Sequence, residues 1–598
     1  MKPMINSKLV QALALAGISS FANLAMATDG DLDTLFGVNG FITTDVGEFD
    51  SIRDLAVQSD GKIVAIGVSY IYYDQPEKQV NDFIVARYQP NGALDSCFGI
   101  NGGVNFQDLL GSTDIVGEVK IQPDGKILVA GYTQPNNNYH NYDIALVRFL
   151  ANGQLDSSFG NNGVVVHDII YPEGYGNSSK LESMVIDIQG RIVVAGQTFY
   201  GPGNFLIARF LPNGSIDTSF GSNGFSNIML AGHFKSMAVS LVADSLGGYV
   251  MGGKSHNGSY SSGPNNNDGI LLRVDGNGNL DPSFGTNGFV SIDKAGLEDA
   301  VTSLVVQPDG KLVAAVASGT SYPDFIFAQI ANYGSSYFPA STPYFTGNFT
   351  LMRFMPNGAP DASFGNQGMV ETKIGDNSIG VKLLQQQDGK LMLAGATFDD
   401  VLGIPYDSSI AVARYLADGA LDTSFGENGI RVTDFDYSVD GIIAGAMQPD
   451  NNLVLGGVSS DITTAGDFLL TRFLSNGNSP ATSSVDPSCE GLMNATAVDG
   501  SVPSGSSDEN DSASGSVDST DSATSSDSSS GTSSSNSGSG TQNGVVQTGS
   551  GSGDGTSGGG GSIGMMSLIA LLLTGFLSSM ARKIRLRPLV SQSTNQNL

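Results

Sequence analysis

Residues 155–163 read LDSSFGNNG, and the reading given to this stretch decides the fold. A Leu-Asp, a Phe-Gly and an Asn-Gly packed so closely resemble the makings of a reactive site. They are instead one copy of a repeat. The Phe-Gly recurs at Phe36, Phe98, Phe159, Phe220, Phe284, Phe364 and Phe425, with successive spacings of 62, 61, 61, 64, 80 and 61 residues. A near-constant period of this size marks one supersecondary unit repeated along the chain.

Each copy leads into a strand-like run such as GVVVHD or GIRVTD, then a hairpin such as VKIQPDGKILVAG, then a run such as DIALVRF or NFLIARF. Apolar, β-branched runs bounded by PDG and NG are strand and turn signals. Four short strands per unit, in seven units, predict an all-β, seven-bladed β-propeller with four-stranded blades over residues 28–478. The first copy, LDTLFGVNGFITTD, lacks the strands that precede the motif elsewhere, and the last unit ends at DFLLTRFLSNGN without the motif that should follow. The two chain ends thus complete one blade. The strand around Phe41 to Asp45 is expected beside Phe468 to Phe473, leaving no free sheet edge at the seam.

Residues present in every unit suit packing better than chemistry, because an active site needs one asymmetric constellation. Arg87, Arg148, Arg209, Arg273, Arg353, Arg414 and Arg472 occur once per unit, as do Asp33, Asp95, Asp156, Asp217, Asp281, Asp361 and Asp422. On a strand such as FLIARF the Arg shares a face with alternate apolar residues, and a buried guanidinium calls for a carboxylate fork. Seven structural ion pairs are expected. The motif Phe is expected to fill space between blades, with the Asn-Gly and Asp-Gly pairs taking positive φ in turns.

As a set, QPDGKI, the aromatic-flanked Arg and NGxLDxSFGxNG resemble the delta-sixty repeat family of bacterial β-propellers over roughly residues 31–477. That resemblance implies the fold and assigns no activity.

The two ends read differently. Lys2 and Lys8, the run LVQALALAGISSFANLA and the Ala25-Met26-Ala27 site make residues 1–27 a secretory signal peptide, with the mature chain starting near Thr28. Only Cys97 and Cys489 remain for an oxidising compartment, and whether they pair is open on sequence alone. Residues 479–562 collapse into Ser, Gly, Asp, Thr and Asn, a composition that predicts a disordered spacer. Residues 563–580 form an uncharged apolar run of 18 residues, the lower end of a membrane-spanning helix, and the basic tail of residues 581–598 places the C-terminus in the cytoplasm. Spacer, Gly558, Gly559, Gly560, Gly561 and Ser562, apolar helix and basic cluster together resemble the GlyGly-CTERM sorting signal of Gram-negative bacteria. The resemblance implies cleavage near that glycine run by a rhombosortase-type intramembrane protease and passage to the cell surface or medium through type II secretion. The eleven residues PLVSQSTNQNL after the basic cluster depart from that pattern, and a permanent inner-membrane anchor is the alternative.

Composition narrows function. With 58 Asp plus Glu against 28 Lys plus Arg, a net charge of −30 argues against a nucleic-acid partner. The four histidines, His140, His167, His233 and His256, fall in no metal or catalytic motif. DGNGNLD (275–281) alternates oxygen ligands like a calcium loop, but Leu280 and Thr286 stand where Gly and Glu are needed; it reads as a repeat turn. No cofactor is expected, calcium being the one left open. What differs between units is the connection between second and third strands. It is longest in the fifth unit, where Tyr322, Tyr333, Tyr337 and Tyr344 are the candidate ligand-binding residues. The expected function is an exported, non-catalytic binding or scaffold protein recognising polysaccharide or another protein through its loop face. The alternative is a secreted carbohydrate hydrolase or lyase using loop carboxylates such as Glu173, Asp399 and Asp400.

Overall fold

Alternation, turn glycines and a sixty-residue period fold into a ring of seven four-stranded antiparallel blades in the computed structural model, blades 6 and 7 being joined by one parallel pairing of Ser408 with Val439. The structure describes residues 27–475 apart from 48, 73–78, 100–101, 108, 110–112, 135–141, 170–177, 199–202, 258–266, 295, 320–346, 402–403, 436–438 and 461–465. Among the described residues there is no helix, and so none long and apolar enough to cross a membrane. The signal, spacer, apolar run, sorting glycines, Cys489, His140 and the four candidate tyrosines all lie outside the described residues.

The first strands are Phe49–Val57, Asp114–Ile121, Ser179–Ile186, His233–Ala243, Glu298–Val306, Asn377–Gln385 and Val439–Met447, defining blades 1 to 7. Each packs against the first strands of both neighbours, the seventh against the first, so these strands surround the axis. Second and third strands such as Ile127–Thr133 and Asp143–Phe149 are buried along their whole length, being covered by a blade on each side. The fourth strands are short and half exposed, as at Val164–His167. Seven apolar clusters run between adjacent blades, each holding one motif Phe, and every one of these rings is fully buried.

The seam closes as the sequence requires. Phe41–Thr44 pairs antiparallel with Asp467–Phe473, in the register Phe41 to Thr471 and Thr44 to Phe468. The same N-terminal segment supplies more than a strand. Asp33 accepts from Arg472 Nε and Nη2 at 2.8 and 2.6 Å, Phe36 lies 4.7 Å beneath that guanidinium, and Asp29 accepts from Arg414 Nη2 at 2.8 Å. Deleting residues 28–46 therefore removes an outer strand, a carboxylate and a core ring together. A sharply lowered melting temperature is expected in scanning calorimetry, and an unchanged melt would contradict closure by this segment.

The candidate site in the central channel

The motif residues meet at one end of the ring. Each repeated Arg stands one residue before the end of its third strand, opposite the second strand near the PDG turn, as in the Leu128 to Arg148 pairing. Its carboxylate lies eight residues on, or across the seam in blade 7. Nε to Oδ2 distances are 2.7 Å for Arg87 and Asp95, and 2.8 Å for Arg148 and Asp156, Arg209 and Asp217, Arg353 and Asp361, Arg414 and Asp422, and Arg472 and Asp33. In blade 4, Arg273 uses Nη1 on Asp281 at 2.6 Å and Nε on Asp244 at 2.5 Å. In the other blades Nη1 reaches a backbone carbonyl across the blade boundary, for example Arg148 to Pro212 O at 2.7 Å and Arg209 to Gly276 O at 2.6 Å.

Two contributions of the motif were not legible beforehand. In six blades the Phe lies face-on beneath the clamp Arg, 4.4 Å away for Arg148 over Phe159. The following Gly donates its amide to a carbonyl in the next turn, Gly160 to Asn213 O at 2.9 Å and, at the seam, Gly426 to Asp29 O at 2.8 Å. Gly160 has φ 53°, and an added Cβ would stand 2.4 Å from Val164 O, so only glycine fits. LDSSFGNNG is thus a blade-to-blade clamp.

A different rule governs the axis. Every first strand carries a β-bulge at the same place, so that Arg53, Gly117, Glu182, Val239, Thr302, Val381 and Ile443 are the bulged residues of blades 1 to 7. They line a cavity of about 360 Å³, together with the residues that follow them in six blades, Asp54, Glu118, Ser183, Ser240, Ser303 and Lys382. That second ring mostly links blades: Asp54 Oδ2 accepts from Val119 N at 3.1 Å, Ser183 Oγ from Leu241 N at 3.0 Å, and Ser240 Oγ from Leu304 N at 3.1 Å. Glu118 accepts from Met184 N in the same way, and Lys382 reaches past Ala444 of blade 7 to Asp54 Oδ1 at 3.0 Å.

The bulged ring and its neighbours are not alike around the circle. Blades 1 to 4 contribute Arg53, Tyr132, Lys180, Glu182, Gln197 and Lys254 beside Ile115, Val116, Met237 and Val239, whereas blades 5 to 7 contribute Ala300, Val301, Val381 and Ile443 beside Thr302, Ser303 and Lys382. Tyr132, Gln197 and Lys254 occupy equivalent second-strand positions near the ends from which the variable connections leave. The Lys180 ammonium sits 4.7 Å from the Tyr142 ring centre and 5.4 Å from that of Tyr132. Burial pushes the Lys254 amine down to about 7, against the pull of Glu298. Burial also lowers Lys180 and raises Glu182, the latter resisted by Arg53 and Lys180. Burial alone would raise Glu118, but Lys120 and Lys382 outweigh it and keep it ionised.

Elsewhere, Asp275 accepts from the amides of Asn277 and Asn279 at 2.8 and 2.9 Å, capping its own turn. Among the described residues one acidic group, Asp45, Asp50 and Asp467, brings oxygens within 4.8 Å of one another; there Asp50 Oδ2 accepts from Val46 N at 2.6 Å and holds the loop before its strand. His167 and His233 stand edge-on to Phe210 and Phe289. Cys97 is disulfide-bonded. Glu173 and the side chains of Asp399 and Asp400 lie outside what the structure describes.

Residues 58–98, 122–159, 190–220, 386–425 and 448–479 match a family described as a domain of unknown function (DUF5122) β-propeller. The match supports a β-propeller repeat family. Blades 4 and 5 fall between the matched segments. No curated protein matches the sequence. Similar solved structures include a catalytically inactive virginiamycin B lyase from Staphylococcus aureus (10% identity, TM-score 0.38, 73% of this chain and 98% of that one). A polysaccharide lyase of the PL25 ulvan lyase family has 10% identity and a TM-score of 0.43, covering 72% of this chain and 94% of its own. The NanB sialidase from Streptococcus pneumoniae has 11% identity and a TM-score of 0.35, covering 80% and 74%.

Two predictions follow from the clamp and its charges. Arg148→Ala leaves Asp156 buried without its guanidinium and is expected to destabilise by roughly 3–5 kcal/mol in denaturant titration. The pH dependence has two limbs. Burial and the nearby Asp168 push Asp143 up to about 6, so its ionised form costs stability above that pH, and stability rises as pH falls from about 6 to about 4. Burial opposes ionisation of Asp156 and Asp422, but hydrogen bonds from Ser158 and Ser424, with Lys126, Lys390 and the clamp arginines beside them, hold both at about 2. Their contribution is complete above the unfolded value near 3.9 and is lost as pH falls toward about 2. Asp143→Asn should flatten the upper limb only, as read from melting temperature against pH.

Proposed function

We propose that the chain is an exported binding protein whose ring admits a ligand into its central channel from the face carrying the variable connections. The observation that carries this reading is the contrast between the two ends of the blades. At the turn end six of the seven units use the same Arg, Asp and Phe contacts, blade 4 keeping the clamp with Asp244 added, whereas along the axis the aromatic and most of the charged side chains come from blades 1 to 4 and the larger apolar surface, beside Lys382, from blades 5 to 7. A cavity of about 360 Å³ with an apolar wall and a few convergent polar groups has the size and character of a small-molecule or saccharide site. Polysaccharide, or a protein presenting one suitable group, remains the proposed partner. The sorting signal read from residues 558–587 supports display at the cell surface or release to the medium.

A second reading, cleavage of a carbohydrate by hydrolysis or elimination, is favoured by one observation. Burial raises the Glu182 carboxyl and lowers the Lys254 amine to about 7, which sets a carboxyl that holds its proton more tightly than usual and an amine that gives its proton up near neutral pH along one cavity. One experiment separates the two. The full chain is titrated by calorimetry with neutral and acidic oligosaccharides while new reducing ends and unsaturated products are assayed. Saturable binding without products, abolished by Ile443→Trp at unchanged melting temperature, is the expected result. Product formation that disappears in Glu182→Gln would establish the enzyme instead.

A further inference from the structure

The segments that meet where the ring closes bring together oxygen atoms that their hydrogen bonds leave unused. Asp45 follows the N-terminal strand Phe41–Thr44, Asp467 opens the third strand of blade 7, and Asp50 lies near the start of the first strand of blade 1. Thr44 pairs with Phe468, which sets Asp45 beside Asp467, and Asp50 N donates to Gly466 O at 2.7 Å. One oxygen of each carboxylate lies within 4.8 Å of the other two. Asp45 is exposed, Asp467 half-buried and Asp50 fully buried. Among the described residues neither Asp45 nor Asp50 forms a salt bridge.

Convergent carboxylates are common on an acidic chain, and a second observation sets these apart. Asp50 uses Oδ2 on the amides of Val46 and Gly47, at 2.6 and 2.7 Å, whereas its Oδ1 is buried with no hydrogen-bond partner. Ser69 stands directly opposite Asp50 on the second strand of blade 1, Ile63–Tyr72. It is 2% exposed, and its hydroxyl too is buried without a partner. Opposed side chains project from one face of a sheet. Both oxygens lie against the loop that follows Asp45, since a Cβ on Gly47 would stand 2.0 Å from Ser69 Oγ and 3.2 Å from Asp50 Oδ1. Burial raises the Asp50 carboxyl and the nearby Ser69 eases that rise, yet the two form no bond of acceptable geometry. Blade 5 shows the alternative. Asp299 and Ser318 hold the same two positions there, and the Ser318 hydroxyl donates to Asp299 Oδ1. The pair that closes on itself in blade 5 stays open at the seam.

We propose that Asp45, Asp50, Asp467 and Ser69 bind a calcium ion that fastens the ring at its seam. All four donors are oxygen, which suits a hard cation. Three carboxylates outweigh the two positive charges, and the exposed side at Asp45 admits the waters that complete six to eight ligands. Magnesium demands a tighter, near-octahedral shell and dehydrates reluctantly, so calcium is preferred. The ion joins the N-terminal segment, blade 7 and blade 1 at the end of the seam opposite the clamp of Arg472 and Asp33. None of its ligands lines the channel, so the site is independent of what the channel takes.

The test titrates the full chain with calcium chloride and with magnesium chloride by calorimetry, in about 0.15 M sodium chloride to screen loose binding at the acidic surface. Terbium luminescence reports the location, because Tyr88, whose hydroxyl donates to Thr44 Oγ1 at 2.9 Å, lies beside the site as a sensitiser. Saturable calcium binding is expected with half-saturation between about 0.1 and 1 mM, and magnesium at least tenfold weaker. The melting temperature should stand about 1–3 °C higher in about 10 mM calcium than in chelator. Asp45→Asn and Asp467→Asn should each weaken calcium tenfold or more, Ser69→Ala less, and Glu427→Gln, exposed in blade 6, not at all. Asp45 is exposed, so its variant reads the site on a folded ring even where Asp467→Asn folds poorly. Calcium affinity unchanged in Asp45→Asn, magnesium bound as tightly as calcium, or no saturable binding would each overturn the assignment.

Discussion

Everything in this ring hangs on a buried guanidinium that no blade can satisfy alone. An arginine taken out of water costs several kcal/mol unless its charge and its donors are met. Here the Asp eight residues on meets the charge, the Phe of the same motif covers one face, and in six blades Nη1 reaches a carbonyl across the blade boundary. A blade folded by itself leaves an unsatisfied donor and an uncovered ring. Neighbouring blades therefore stabilise each other, and the final boundary is met only when the N-terminal segment brings Asp33, Phe36 and the strand Phe41–Thr44 to Arg472. Closure is the same clamp made across the full length of the ring.

Blade 4 shows how firmly this constraint holds. Its turn lacks the PDGK lysine, which in blades 1, 2, 5 and 6 lies within salt-bridge distance of the clamp Asp, as at Lys62 and Asp95, 3.1 Å apart. A second carboxylate, Asp244, occupies the place of Gln58 and takes Arg273 Nε. One cation fewer is met by one anion more. The clamp survives with different partners, which is the behaviour of a structural requirement and not of a ligand site.

The sequence carried the clamp because repetition exposes it: seven copies of Arg and Asp at one spacing can be read without a structure, and so can a motif missing from one end and surplus at the other. It did not carry the glycine amide stitch, since Gly160 and a turn glycine such as Gly163 look alike as letters. The channel was hidden for a different reason. In SIRDLAV the Arg reads as one more residue of an alternating strand, but the bulge between Ile52 and Asp54 breaks the period and turns Arg53 toward the axis. Setting the seven first strands in one column shows Arg, Gly, Glu, Val, Thr, Val and Ile after a position that holds apolar residues or glycine and before one that is polar in six blades. That column was the available signal. Tyr322, Tyr333, Tyr337 and Tyr344 of the fifth connection lie outside the described residues.

The same physics explains why variation sits where it does. At the turn end a change of one side chain leaves a buried charge or an empty space between blades, so the seven copies stay alike. The bulged residue belongs to none of the seven clusters that hold a motif Phe, and it lines the axial cavity. A bulge also aims the side chain by backbone geometry, whichever residue occupies it. Outside blade 2, where a Cβ on Gly117 would stand 2.9 Å from Leu181 O, residues as different as Arg, Glu and Ile occupy this position, and the clamps hold the chosen set rigid. A binding site built in this way is preorganised by contacts at the opposite end of the blades, and its specificity is written in the one position that the fold leaves open.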